Sequence, residues 1–181
     1  HGPMVTWGFH NCKRFTNRNF LRLVKKGKVI FPLAQFGRFL KEAVAIHGTL
    51  VGGNLVSLAT LLGTKYEPDW RNKIFFWEDA DENIGDLDRT LTHFKNAGVW
   101  DKIGGMIIGH LHKINEHFWA KKHGPTVPVW EMLRDHLGPY EFPILHTELF
   151  GHDLPSQISI PVGGVIDIRG GMVEMRTHAI P

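Results

Sequence analysis

In the stretch Lys73-Ile74-Phe75-Phe76-Trp77-Glu78-Asp79-Ala80-Asp81-Glu82, four bulky apolar residues run directly into four acids within five positions. An apolar run too short for a helix is the pattern of a strand covered on both faces, and such strands belong to α/β folds whose sheets are flanked by helices. A buried strand here ends in carboxylate. In α/β folds ligands bind beyond the carboxyl ends of the strands, so Glu78, the first acid after the run, is a candidate catalytic residue. The same acids also suit the first turn of a following helix, whose dipole favours negative charge. Asp79, Asp81 and Glu82 fit that second reading better, whereas Glu78, still inside the strand pattern, fits either.

The flanking chain supplies the rest of an α/β architecture. Ala43 to Val51 reads as a strand running into a Gly52-Gly53 turn, after which Asn54 caps a helix carrying Leu55, Leu58, Leu61 and Leu62 and closed by Gly63. Downstream, Asp86 to Asn96 places Leu87, Leu91 and Phe94 at helical spacing, with Gly98 as the stop, and Met106-Ile107-Ile108 is a second buried strand. A strand, a helix and a strand joined by short turns make a βαβ crossover and a parallel pairing. Earlier, Thr16 caps a helix from Asn17 to Lys26, and Val29 to Phe31 forms a strand stopped by Pro32. Later, Gly109 to His123 is a polar, histidine-rich loop. Thr126 to Leu137 is a helix with Pro128 in its first turn and Trp130, Leu133 and Leu137 on one side, and Phe142 to Leu145 is a strand. Ile158 to Ile160, Val165 to Ile168 and Met172 to Arg176 form an antiparallel β tail, the last two split by Arg169-Gly170-Gly171. The expected fold is therefore α/β, with a small mixed sheet or partial barrel, covering helices and an antiparallel β tail.

Composition narrows the function classes. The chain has 181 residues, 43% hydrophobic and 22% charged, enough for a sizeable core. Lysine and arginine are scattered, densest at Lys25-Lys26-Gly27-Lys28, with no aromatic platform beside them, which argues against nucleic acid. Cys12 is the only cysteine, so no intrachain disulfide can form, and no apolar run approaches a membrane span. A cytoplasmic protein without a membrane partner is expected. The opening His1-Gly2-Pro3-Met4 has no initiator methionine ahead of it and reads as a cut or processed start.

An ordered set of segments carries a family resemblance from His1 to about Ile168. Thr49-Leu50-Val51-Gly52-Gly53-Asn54-Leu55 comes first, then Ile74-Phe75-Phe76-Trp77-Glu78-Asp79, then Leu87-Asp88-Arg89 with Gly98-Val99-Trp100-Asp101-Lys102-Ile103. Phe150-Gly151-His152 and Ile160-Pro161-Val162-Gly163 complete it. The set resembles the LD-carboxypeptidase family, which includes muramoyltetrapeptide carboxypeptidases and microcin-C-immunity peptidases. The resemblance implies a serine hydrolase with a Ser-Glu-His triad, split between an N-terminal flavodoxin-like domain and a C-terminal swivelling β/α domain. Glu78 then corresponds to the triad carboxylate and His152 to its histidine. Residues 1–181 correspond to the C-terminal domain, residues 1–40 to the connecting segment, and the nucleophile to a missing N-terminal domain. A small peptide is the implied substrate, either a murein L,D-tetrapeptide or a microcin-like aminoacyl nucleotide, no cofactor is implied, and a homodimer is what the family suggests. The alternative is a non-catalytic domain that binds a small molecule or peptide.

The chemistry asks for the same residue types. A serine hydroxyl needs a neutral imidazole to take its proton and return it to the leaving amine, and a carboxylate on the far ring nitrogen fixes the tautomer. None of the three serines, Ser57, Ser156 and Ser159, lies in a glycine-flanked strand-to-helix elbow. The Gly52-Gly53 turn, Asn54 and Trp77 are candidate substrate-binding residues: amides at a helix start attract a free carboxylate, and an indole beside Glu78 can line a pocket. Capping explains Asn54 equally well, and core packing explains Trp77. Of the twelve histidines, His110 and His112 with Glu116 and His117 match no compact zinc spacing, and no metal site is expected. His10-Asn11-Cys12 is not positioned as a thiol site. His47 is as compatible with a core histidine as with a site residue.

Overall fold

A computed structural model describes residues 1–3, 13–43, 45–117, 124 and 127–177 of the chain. Met4, His10, Asn11, Cys12, Val44, His123 and Thr126 lie outside the described residues.

The buried strand of the Ile74 to Trp77 run is present and lies inside the sheet. β1 (Lys28–Pro32), β2 (Arg38–Lys41), β3 (Ile46–Asn54), β4 (Ile74–Ala80), β5 (Gly105–His112), β6 (Ile144–His146), β7 (Val165–Arg169) and β8 (Met172–Arg176) form one sheet in the order β1-β8-β7-β3-β4-β5-β6-β2. The sheet is mixed and curls into a half-barrel. Strand β3 joins its two kinds of pairing. Ile46 to Thr49 pair antiparallel with β7, and Leu50 to Asn54 pair parallel with β4. β4, β5 and β6 continue in parallel, while β7, β8 and β1 form the antiparallel tail.

Alternation along β4 splits the core in two. Phe75 and Trp77 pack with Trp70, Phe94 and Trp100 beneath α3 (Leu55–Ala59), α4 (Ile84–Asn96) and α5 (Val129–Leu137). Ile74 and Phe76 pack on the other face with Leu50, Phe150, Ile158, Ile160 and residues of β1, β7 and β8. Trp100 stacks on Phe94 at 5.5 Å, and Trp70 meets the edge of Phe75 at 5.3 Å, contacts worth ~1 kcal/mol each beyond burial. α1 (Arg14–Lys26) and α2 (Leu33–Phe36) precede β1 and β2 respectively.

Several local expectations change. Gly52 and Gly53 do not turn; they lie within β3, paired with Phe76 and Trp77. A Cβ on Gly52 would sit 1.7 Å from the Phe76 carbonyl oxygen, so these strands approach too closely for a side chain there. The helix after Asn54 runs only to Ala59 before breaking into turns. α1 begins at Arg14, and Thr16, read as its cap, is buried within it and accepts the Gln157 N–H through Oγ1 (2.9 Å). β5 extends to His112, taking His110 and His112 out of the expected loop. Pro128 is the N-cap of α5 rather than part of its first turn, and Trp130 stays 39% exposed instead of joining Leu133 and Leu137 in the core. Ile158 to Ile160 are buried without forming a strand. His47 lies in β3 but faces solvent, 3.7 Å from Asp167. The edge strand β2 was not expected, because four residues bounded by one glycine carry too little pattern.

Candidate active site

Glu78 lies near the carboxyl end of β4 and is fully buried, although the strand is about to emerge into solvent. A bulge lies opposite it. Trp77 pairs with Ile108 and Asp79 with Leu111, so Gly109 and His110 of β5 together oppose the single residue Glu78. Such an insertion bends the strand and re-aims the side chains beside it. By alternation Glu78 falls on the Phe76 face and Asp79 on the Trp77 face.

Residues 147–153 close over Glu78. Thr147 N–H donates to the Ile108 carbonyl and His110 N–H to the Phe150 carbonyl (both 2.9 Å), and the Phe150 ring is fully buried against Phe76. Gly151 follows at φ +132°; a Cβ there would meet His110 at 3.0 Å and Glu78 Oε2 at 3.4 Å. This tight passage brings the next residue over the carboxylate. His152 Nδ1 lies 2.7 Å from Glu78 Oε2, with 56% of the imidazole exposed. Nε2 makes no hydrogen bond among the described residues and is presented to solvent. The pair has the geometry of an imidazole oriented by a buried carboxylate, able to accept a proton at its outer nitrogen.

Three further carboxylate–imidazole contacts, made by two carboxylates, flank this pair. Glu148 is hydrogen-bonded through Oε2 to His110 Nδ1 and lies 3.0 Å from His146 Nε2; Asp153 lies 3.2 Å from His112 Nε2. The contacts to His146 and His112 lack the alignment of hydrogen bonds. Burial pushes the His146 imidazole below its ordinary pKa, against the pull of Glu148 and with the help of Arg38. The Glu148–His110 and Asp153–His112 contacts hold the 147–153 segment to β5 on either side of His152. Sequence reasoning missed Glu148 and Asp153. The available signal was the alternation of histidines at 110 and 112, which continues the strand pattern of Met106 to Ile108.

The remaining candidates separate. Asn54 caps α3: its Oδ1 accepts the Ser57 N–H (3.0 Å) and hydroxyl (2.9 Å), while its amide donates to Asp79 Oδ1 (2.9 Å). Ser57 is thereby engaged at the cap. Gly53 sits beside Trp77 in the parallel pairing, and Trp77 is fully buried in the helical-side core. Among the described residues no group of three or more His, Cys, Asp or Glu is placed to hold a metal ion. Glu116 instead accepts the Val129 N–H at the start of α5 (2.7 Å).

Asp79 carries a testable electrostatic cost. Burial raises its pKa from 3.8 to about 6, opposed by the Ala80 N–H and the Asn54 amide and reinforced by Glu82 and Glu78. Between those values the folded protein holds the proton more tightly than the unfolded chain, so this group's contribution to stability falls as pH rises and the penalty is complete above about pH 6. Asp79→Asn removes the titration. Its stability relative to the parent is expected to rise by ~3 kcal/mol between about pH 4 and pH 7. Urea unfolding at both pH values measures this, and a difference that does not change with pH refutes it.

Residues 47–168 match the family model described as LD-carboxypeptidase C-terminal domain. A Synechocystis sp. protein named "Putative carboxypeptidase" is 32% identical over 170 residues, covering 94% of this chain and 53% of the relative. A Bacillus subtilis protein named "Probable murein peptide carboxypeptidase" is 30% identical over 167 residues, covering 90% of this chain and 50% of the relative. The chain thus spans about half the length of these relatives. The crystal structure of muramoyltetrapeptide carboxypeptidase from Oxalobacter formigenes superposes with a TM-score of 0.78 at 25% identity, covering 96% of this chain and 59% of that one.

Proposed function

Because the chain belongs to the LD-carboxypeptidase family through its C-terminal domain, we propose that Glu78 and His152 are two members of a Ser-Glu-His triad whose serine lies outside this sequence. The whole protein then hydrolyses an amide bond near the end of a small peptide. The observation that carries this reading is the 2.7 Å contact between the buried Glu78 carboxylate and the exposed His152 imidazole. Family membership supports peptide hydrolysis, and the half-length coverage of the relatives supports a further domain.

In the proposed reaction His152 Nε2 takes the serine proton as the hydroxyl attacks the scissile carbonyl. Glu78 Oε2 accepts a hydrogen bond from Nδ1–H, which stays on the ring, and stabilises the imidazolium. His152 then delivers its proton to the leaving amine, and water completes hydrolysis by the same route in reverse. A murein L,D-tetrapeptide is the favoured substrate, a microcin-like aminoacyl nucleotide the other family possibility.

The test is release of the terminal residue from an L,D-tetrapeptide by the protein encoded by the complete reading frame, beside the 181-residue chain. Turnover and labelling of an upstream serine by a fluorophosphonate, both confined to the complete protein, are expected. Hydrolysis by this chain alone at a rate abolished by His152→Ala would refute the split triad. A complete protein that binds the peptide without turnover would make this a binding domain.

A further inference from the structure

On the helical face of the sheet, bordering His146, a cleft of about 360 Å³ opens between β2 and α5. Its floor is apolar: Ile108, Leu133, Leu137 and Ile144 are all buried core residues that also line it. Trp130 and Leu40 wall it and remain 39% and 43% exposed. Its charged lining is all of one sign, Arg38, Lys41 and Arg134, with no carboxylate. Lys41 is engaged by the Tyr140 carbonyl and Glu141, and Arg134 lies 3.5 Å from Glu131. Arg38 has no ion-pair partner among the described residues. β2 is the last strand of the sheet, so this rim is bounded by an open edge.

We propose that this cleft binds a small amphipathic monoanion, a carboxylate bearing one compact apolar group. The carboxylate pairs with the Arg38 guanidinium, and the apolar group lies between Trp130, Leu40 and the aliphatic floor. The volume is at the lower end of small-ligand sites and too small for a partner helix. A guanidinium without an ion-pair partner selects an anion and can grip a carboxylate through two parallel hydrogen bonds. The apolar floor supplies the affinity that a surface ion pair lacks. This inference is independent of the proposed peptidase reaction.

The test is titration of the purified chain with naphthoate, and separately with naphthylmethanol and naphthylmethylammonium, following the methyl signals of Ile108, Leu133, Leu137 and Ile144 by NMR. Saturable shifts of these methyls with naphthoate, and at least roughly tenfold weaker binding of the ammonium compound, are expected. Arg38→Glu, an exposed substitution with little consequence for folding, is expected to weaken naphthoate by at least roughly tenfold while leaving naphthylmethanol unchanged. Leu40→Glu, beside Arg38 on β2, is the second variant and is expected to weaken naphthoate and naphthylmethanol alike. The proposal is overturned by any of four results: equal binding of the anion and the cation, naphthoate shifts that map to the basic helix α1, no saturable shift up to about 10 mM, or a dimer whose formation excludes the probe.

Discussion

Replacing Glu78 by Gln in the complete protein is expected to lower kcat on an L,D-tetrapeptide by ~10³–10⁴-fold, with KM changed little. Glutamine matches the shape of glutamate and fills the same buried space at the end of β4, but it carries no charge to stabilise the imidazolium. Its amide can also present a donor to Nδ1, which favours the wrong tautomer. His152→Ala should cost about as much, and the double variant little more, because residues acting as one unit are not additive. Stability provides a separate readout. Glu78 Oε1 is buried without a hydrogen bond among the described residues, and because the His152 imidazole is 56% exposed, replacing the carboxylate by an amide of the same size leaves no unpaired charge buried behind it. The Glu78→Gln variant should therefore unfold at the same temperature as the parent or higher. A loss of kcat below about tenfold, or a loss accompanied by a falling midpoint, would remove Glu78 from the proposed triad.

Gly52→Ala should produce the largest stability loss, ~4–5 kcal/mol, or a fall of about 10–15 °C in the thermal midpoint. The added Cβ would sit 1.7 Å from the Phe76 carbonyl oxygen and 2.7 Å from its carbon. Both clashing atoms are backbone, so no side-chain rotation relieves them and β3 must move away from β4. The parallel pairs that follow, Gly53 with Trp77 and Asn54 with Glu78, lie on the same stretch, so the displacement reaches the candidate site. Gly53→Ala is the control. A Cβ there meets no atom within 4 Å, and its cost is confined to the backbone at φ +156°, about 1 kcal/mol. Differential scanning calorimetry of the two variants separates the effects, and equal midpoints would show that the close approach is relaxed without cost.

The contrast between these glycines shows where sequence reading stopped. A Gly-Gly pair before an asparagine cap has the composition of a turn, and local propensity contains nothing to oppose that reading. What opposes it is Phe76, on a strand whose pairing partner is set by tertiary contacts. The same limit hid Glu148 and Asp153, whose role depends on their distances from His110, His146 and His112 across two elements. It also made Trp77 ambiguous, since alternation places it on one face of a strand without saying which face is the site.

The sequence by itself determined the α/β class, the parallel pairing of β4 and β5, the antiparallel hairpin of β7 and β8 and the emergence of a carboxylate from the central strand. These follow from residue periodicity and turn chemistry, which are local and act within one segment. Only the tertiary structure decided that Glu78 would be fully buried, that a bulge in β5 would re-aim the chain beside it, and that His152 would reach it across 74 positions to 2.7 Å. Those outcomes depend on how strands register and how a loop packs back onto them, and a pairing between distant segments leaves no periodic trace in either one.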